Sequence, residues 1–269
     1  MRRQAAVAGY FYPADKNELT EFFKENTSKL PKKDALMVIV PHAGYVYSGA
    51  TAFKTLSSVN IPEHVVIMGP NHTGAGAVLS VYPEGEWETP FGDAIIDEGI
   101  VNTLCLSGIF ERDTQAHRRE HSLEVIVPML KFLRSDVKIT CITVKNMHKN
   151  TLKSAAEVLF SSVRDKNALV VVSSDMNHFE NAQITEQKDS IALDALLKSD
   201  ENMLYNSVFT NSISMCGIFP AYIGLHYCGL CGAHKAELVE HTHSGVVSGD
   251  FNSVVGYAGL IYSKVIHES

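Results

Sequence analysis

The chain has no long apolar run. Nothing in its 269 residues approaches the roughly 18 consecutive apolar residues that a membrane-spanning helix needs. Cysteine is scarce: five thiols, an odd number, argue against a disulfide framework and for a reducing, cytoplasmic setting. Basic stretches are lacking too. The 23 Lys and Arg are outnumbered by 30 Asp and Glu, leaving a net charge of −7. That balance speaks against nucleic acid and acidic membrane surfaces as partners. With 18 Gly and 9 Pro, low-complexity and collagen-like readings fail. No repeat or linker interrupts the chain.

What remains is a globular composition, 45% hydrophobic and 20% charged. Residues 1–269 read as one α/β domain, because strand and helix patterns alternate throughout. The opening Met1-Arg2-Arg3 resembles a short signal peptide. Gly9, Tyr10 and Tyr12 interrupt its apolar part, so the segment reads as folded protein. Strands are expected at Leu36 to Val40, His64 to Met68, Lys138 to Val144, Leu169 to Val172 and Val254 to Tyr262, from their β-branched content. Helices are expected at Asn17 to Lys29, Ala50 to Ser58, Ile100 to Ile109, His121 to Leu133, Leu152 to Val163, Thr185 to Leu197 and Gly217 to Tyr227. Asp15 or Asn17 is the expected cap of the first, and Glu120 suits the dipole at the start of the fourth.

Three strand candidates run into polar, histidine-bearing loops. They are Pro41-His42-Ala43-Gly44-Tyr45, Gly69-Pro70-Asn71-His72 and Ser173-Ser174-Asp175-Met176-Asn177-His178. In open α/β sheets, ligands bind outside the carboxyl ends of the strands. Parallel, adjacent strands would therefore bring His42, His72, Asp175 and His178 to one crevice. Glu120-His121-Ser122-Leu123-Glu124 opens a helix, and its i, i+3 spacing puts His121 and Glu124 on one face. Cys216 falls at or just before a helix start, where the dipole favours thiolate, a metal ligand or nucleophile. His226-Tyr227-Cys228-Gly229-Leu230-Cys231-Gly232-Ala233-His234 carries a Cys-x-x-Cys. It lacks a second pair downstream and reads as packing, not as a zinc box.

Together with Ala6-Val7-Ala8-Gly9-Tyr10-Phe11-Tyr12-Pro13, Thr89-Pro90-Phe91-Gly92 and Cys216-Gly217, these motifs run in order along nearly the whole chain. In that order they resemble the Memo family in its prokaryotic form, the Memo component of AmmeMemoRadiSam systems. The resemblance implies a single-domain three-layer α/β/α sandwich with a mixed central sheet, similar to class III extradiol dioxygenases. It implies a metal held by His42, His72 and Cys216, with iron or copper, or zinc, as the ion. His178 then matches the catalytic acid/base, with Asp175 orienting its ring and His121 beside them. Cys216 stands where the dioxygenases use a carboxylate, a softer donor that shifts preference toward copper, zinc or redox-active iron. The resemblance also implies a pathway shared with a radical-SAM protein and an AMMECR-type partner.

Three functions follow. The first is a metal-dependent redox enzyme acting on a small-molecule or peptide substrate. The second is a Cys/His hydrolase using Cys216, His178 and Asp175. The third is a non-catalytic adaptor with a residual pocket. Animal members of the resembled family are described as adaptors that recognise a phosphotyrosine peptide.

Overall fold

A computed structural model describes residues 1–232 and 234–264. The strands are β1 (Arg2–Arg3), β2 (Met37–Val40), β3 (His64–Pro70), β4 (Leu79–Val81), β5 (Glu86–Trp87), β6 (Ala94–Ile96), β7 (Glu111–Arg112), β8 (Lys138–Val144), β9 (Ala168–Ser173), β10 (His178–Glu180), β11 (His234–His243) and β12 (Val254–Lys264). The helices are α1 (Lys16–Glu25), α2 (Ala50–Ser57), α3 (Glu98–Leu106), α4 (His121–Glu124), α5 (Val127–Leu133), α6 (Lys149–Val163), α7 (Ala182–Leu197), α8 (Glu201–Thr210), α9 (Ile218–Leu230) and α10 (Gly245–Ser248).

One mixed sheet takes in all twelve strands. Its centre runs β8-β3-β9-β2-β12. The neighbours β8, β3, β9 and β2 are parallel, whereas β12 joins β2 antiparallel. Met37 to Val40 and Val65 to Val66 are buried with no polar alternation, as strands covered on both faces require.

Two close approaches show the covering layers. On one face, a side chain at Gly224 of α9 would run into Met37 and Val172. On the other, one at Gly259 of β12 would run into Thr55 of α2. Met37 pairs with Tyr262, three residues from Gly259, and an odd offset along a strand reverses the face. Helices therefore cover both sides of the sheet, the expected three-layer arrangement. No helix among the described residues is long and apolar enough to cross a membrane.

All five expected strands form, within one or two residues of their expected ends. Asp15 caps α1 by accepting the N–H groups of Asn17 and Glu18. The expected His121 to Leu133 helix is split. Pro128 lies in the first turn of α5 and would clash with the Glu124 carbonyl in a continuous helix, so α4 ends there and α5 restarts. A wide π-helical turn, Tyr45–Gly49, leads into α2. Sequence reading missed α8, the short outer strands and β11. Strands of two or three residues are too short to show alternation, and β11 (HKAELVEHTH) carries charge along both faces.

Candidate metal centre

β9 lies between β2 and β3, and all three are parallel. Their carboxyl ends form one sheet edge, and the loops beyond it carry His42, His72 and Asp175. Cys216 arrives on the segment just ahead of α9, outside its N-cap Gly217.

Each imidazole is held in one tautomer. His42 Nδ1 lies 2.7 Å from Ser173 Oγ. The Ser173 hydroxyl donates its proton to the Ser122 carbonyl at 2.6 Å. A carbonyl can only accept, so Ser173 must accept from His42 Nδ1–H. The Nδ1–H of His72 donates to Glu120 Oε1 at 2.8 Å. In the neutral form each ring therefore presents an unprotonated Nε2. The backbones are held in a parallel way: His42 N–H donates to Asp175 Oδ1 at 2.8 Å, and His72 N–H to Glu120 Oε2 at 2.6 Å. Metal-binding histidines commonly show such outer partners, which fix the ring and raise its basicity.

His42 Nε2 lies 3.3 Å from Cys216 Sγ. One donor atom each from His42, His72 and Cys216 falls within 4.8 Å of the other two. His42 is buried, Cys216 half-buried and His72 exposed, so the trio opens on solvent at one side. His121 stacks on His72 with centroids 4.7 Å apart and planes at 16°, and it packs on Phe11 at 4.7 Å. His72, Glu120 and His121 offer a second compact donor group. Both Glu120 oxygens already bind His72, and Oε1 also accepts the Ser122 N–H.

Electrostatics suit ligation by neutral imidazoles. Burial pushes His42 well below the usual histidine range, and neighbouring His72 and His121 push it further. Burial lowers His121 too, against the pull of Glu120. Burial would raise Glu120, but the His72 hydrogen bond and charge outweigh it and hold the carboxyl at about 2.

Several expectations need correction. The dipole was expected to ionise Cys216, but the thiol lies outside the first turn. Burial pushes it up, Asp175 adds to that, and the Asp175 N–H at 3.2 Å only partly opposes it. Asp175 was expected to orient the His178 ring. It accepts the His42 N–H instead, and His178 Nδ1 is buried without a hydrogen-bond partner among the described residues. Burial raises Asp175 itself, and His178 is near enough for its charge to oppose that rise. His178 is fixed through its backbone, whose N–H donates to Ser214 Oγ at 2.7 Å. The residue facing Cys216 is His42, not the His178 of the hydrolase reading. Glu124 shares a helix with His121 but serves the scaffold. It pairs with buried Arg3 at 2.7 Å and accepts from the Ala6 and Val7 N–H groups and the Tyr12 hydroxyl.

Sequence reading overlooked Ser173, Glu120 and Asn177 as parts of this site. Asn177 accepts from both the N–H and the Oγ of Ser214 at 3.1 Å, tying the His178 loop to the Cys216 segment. At the Cys-x-x-Cys, Cys228 is buried and Cys231 half-buried, both as free thiols. His226 is turned to Glu201, and Ala233 lies outside the described residues. Packing accounts for this segment.

Comparison with known proteins agrees with the fold and with the family resemblance. An uncharacterized protein of Escherichia coli K12, of solved structure, superposes with a TM-score of 0.55 at 10% identity, over 84% of this chain and 98% of that one. A MEMO1 family protein of Aquifex aeolicus is 38% identical over 97% of this chain and 98% of its own length. Another, from Desulfurococcus amylolyticus, is 39% identical over 96% and 98%. The family model described as Memo-like protein matches residues 3–261. With a family model and relatives matching nearly its whole length, the chain belongs to the Memo family.

Proposed function

We propose that the cleft holds one redox-active transition metal, iron or copper, on His42 Nε2, His72 Nε2 and Cys216 Sγ, and that the protein is a metal-dependent oxidoreductase of dioxygenase-like architecture. The reading is carried by one observation: three donors within 4.8 Å of one another, with both imidazoles held so that Nε2 is free. Two nitrogens and one sulfur leave further positions open, the donor set of a reactive site and not of a closed structural one. Zinc would fit the same donors.

When bound, the metal would supply electron transfer or Lewis acidity. The chain's residues supply the rest. His178, with an unpartnered Nδ1 near the cleft, would move a proton to or from substrate. Asp175 would act indirectly, by holding the His42 backbone. His121, sandwiched between His72 and Phe11, would form a wall of the substrate site.

Anaerobic purification followed by titration with Fe(II), Cu(I) and Zn(II) tests this. We expect one ion per chain, loss of binding in His42→Ala and Cys216→Ser, and retention in Cys228→Ser. Stoichiometric binding that survives both site substitutions would overturn the reading.

A second reading uses the 3.3 Å contact between Cys216 and His42, which is also a nucleophile–base distance. The upward push of burial on the thiol works against it. Acyl-enzyme formation on Cys216 in chelator-treated protein would favour it.

A further inference from the structure

A cavity of about 770 Å³ lies between the segment Met1 to Val7 and the turn that precedes α4. That volume is within the usual range for small-molecule sites. Arg2, Arg3, Arg118 and Arg119 line it together with Thr114 and Gln115, and no acidic residue is among the described lining residues. Two of the arginines are already paired. Arg2 binds Asp93 at 3.0 Å and Glu88 at 3.1 Å, and Arg3 binds Glu124 at 2.7 Å.

Arg118 and Arg119 differ. Both are exposed, and neither has a carboxylate within ion-pair distance among the described residues. In a chain of net charge −7, two adjacent guanidinium groups that line one cavity without a carboxylate partner among the described residues run against the composition. Their mutual repulsion would be relieved by an anion between them. Guanidinium forks match the oxygens of a phosphate group, and Gln115 and Thr114 add side-chain donors at the same wall.

We infer that this cavity binds the phosphate group of a phosphorylated small molecule through Arg118 and Arg119. The inference is independent of the metal reading, since none of the metal donors lines this cavity. The arginines lie directly before Glu120, on the segment that leads into the candidate metal centre.

Isothermal titration of the full chain with pyrophosphate, in EDTA so that no metal can bridge, tests the site. One equivalent should bind saturably. Arg118→Gln and Arg119→Gln should each weaken it about tenfold or more, the scale of one charge-assisted contact, and the double variant should abolish it. Arg164→Gln removes an exposed guanidinium elsewhere and should change nothing. Circular dichroism should show the double variant folded, as expected for two exposed side chains. Unaltered binding in the double variant would overturn the inference. So would an equal loss in Arg164→Gln, which would mean general attraction to charge, or succinate binding as tightly as pyrophosphate, which would remove the phosphate assignment.

Discussion

His42 and Cys216 are 174 residues apart in sequence, yet Nε2 of one meets Sγ of the other at 3.3 Å. The contact depends on Ser173, which holds the far side of the His42 ring. Ser173→Ala should leave the chain folded but let His42 rotate and change tautomer. Metal affinity should fall 10- to 100-fold, on the order of the usual cost of losing such an outer partner. Competition titration against a chelator of known affinity measures it. Unchanged affinity would mean that Ser173 is only a strand-end hydroxyl.

Glu120→Gln provides the parallel test at His72. The amide cannot match a carboxylate that accepts from the His72 N–H, His72 Nδ1–H and Ser122 N–H together. A drop in metal affinity on the same scale is expected, with a modest fall in Tm. A variant with full affinity would move the anchoring role elsewhere.

These two residues mark where the sequence was legible and where it was not. His42 and His72 stand out because polar residues abruptly follow buried strands, and Cys216 because it precedes a helix. Their partners carry no such mark. Ser173 reads as the last residue of a strand and Glu120 as a favourable start to a helix, because the groups they bind come from distant loops. The central strands were legible from their β-branched runs. The break before α5 was visible as Pro128 but was outweighed by helical spacing on both sides. Asp175 was assigned to the nearest histidine in sequence, when its partner lies across the sheet edge.

Asn177 clamps two loops, so Asn177→Ala should loosen both. The Ser214 N–H and hydroxyl would lose their acceptor, at a cost of about 1–3 kcal/mol. Alkylation of Cys216 should then be faster than in the parent chain, with the half-buried Cys105 labelling as an internal reference. Equal Cys216 labelling rates would show that the segment is held by α9 alone.

Arg3 and Glu124 form a buried pair. Glu124→Ala would leave the guanidinium without its counter-charge and three further donors, the Ala6 and Val7 N–H groups and the Tyr12 hydroxyl, without that acceptor. The expected loss is about 3–5 kcal/mol, measured by denaturant unfolding. Replacing Arg3 by Leu in the same chain should recover part of it, since the uncompensated charge is then gone. A Glu124→Ala variant of near-parental stability would be incompatible with this arrangement.

His117 gives a pH signature apart from the candidate metal centre. Burial, reinforced by Arg3, lowers its pKa to about 3. In the unfolded chain it titrates near 6.5. Between these values the unfolded state takes up a proton that the native state refuses, so stability falls as pH drops from about 6.5 toward 3. The slope from this one group cannot exceed about 1.4 kcal/mol per pH unit. His117→Gln should be less stable overall but show a shallower decline over that window. An identical decline would assign the slope to other groups.

The position of β9 between β2 and β3 has a consequence for biosynthesis. During synthesis His42 and His72 emerge early, on strands that are not neighbours in the finished sheet. The strand that separates them, residues 168–173, follows about a hundred residues later, and Cys216 later still. No fragment short of that thiol contains the donor trio, and neither the β5–β6 nor the β11–β12 hairpin carries any of its members. If the trio takes up an ion as proposed, loading would follow long-range sheet formation, the slow part of folding in topologies of this kind. Scarce metal would reach finished molecules and not nascent ones.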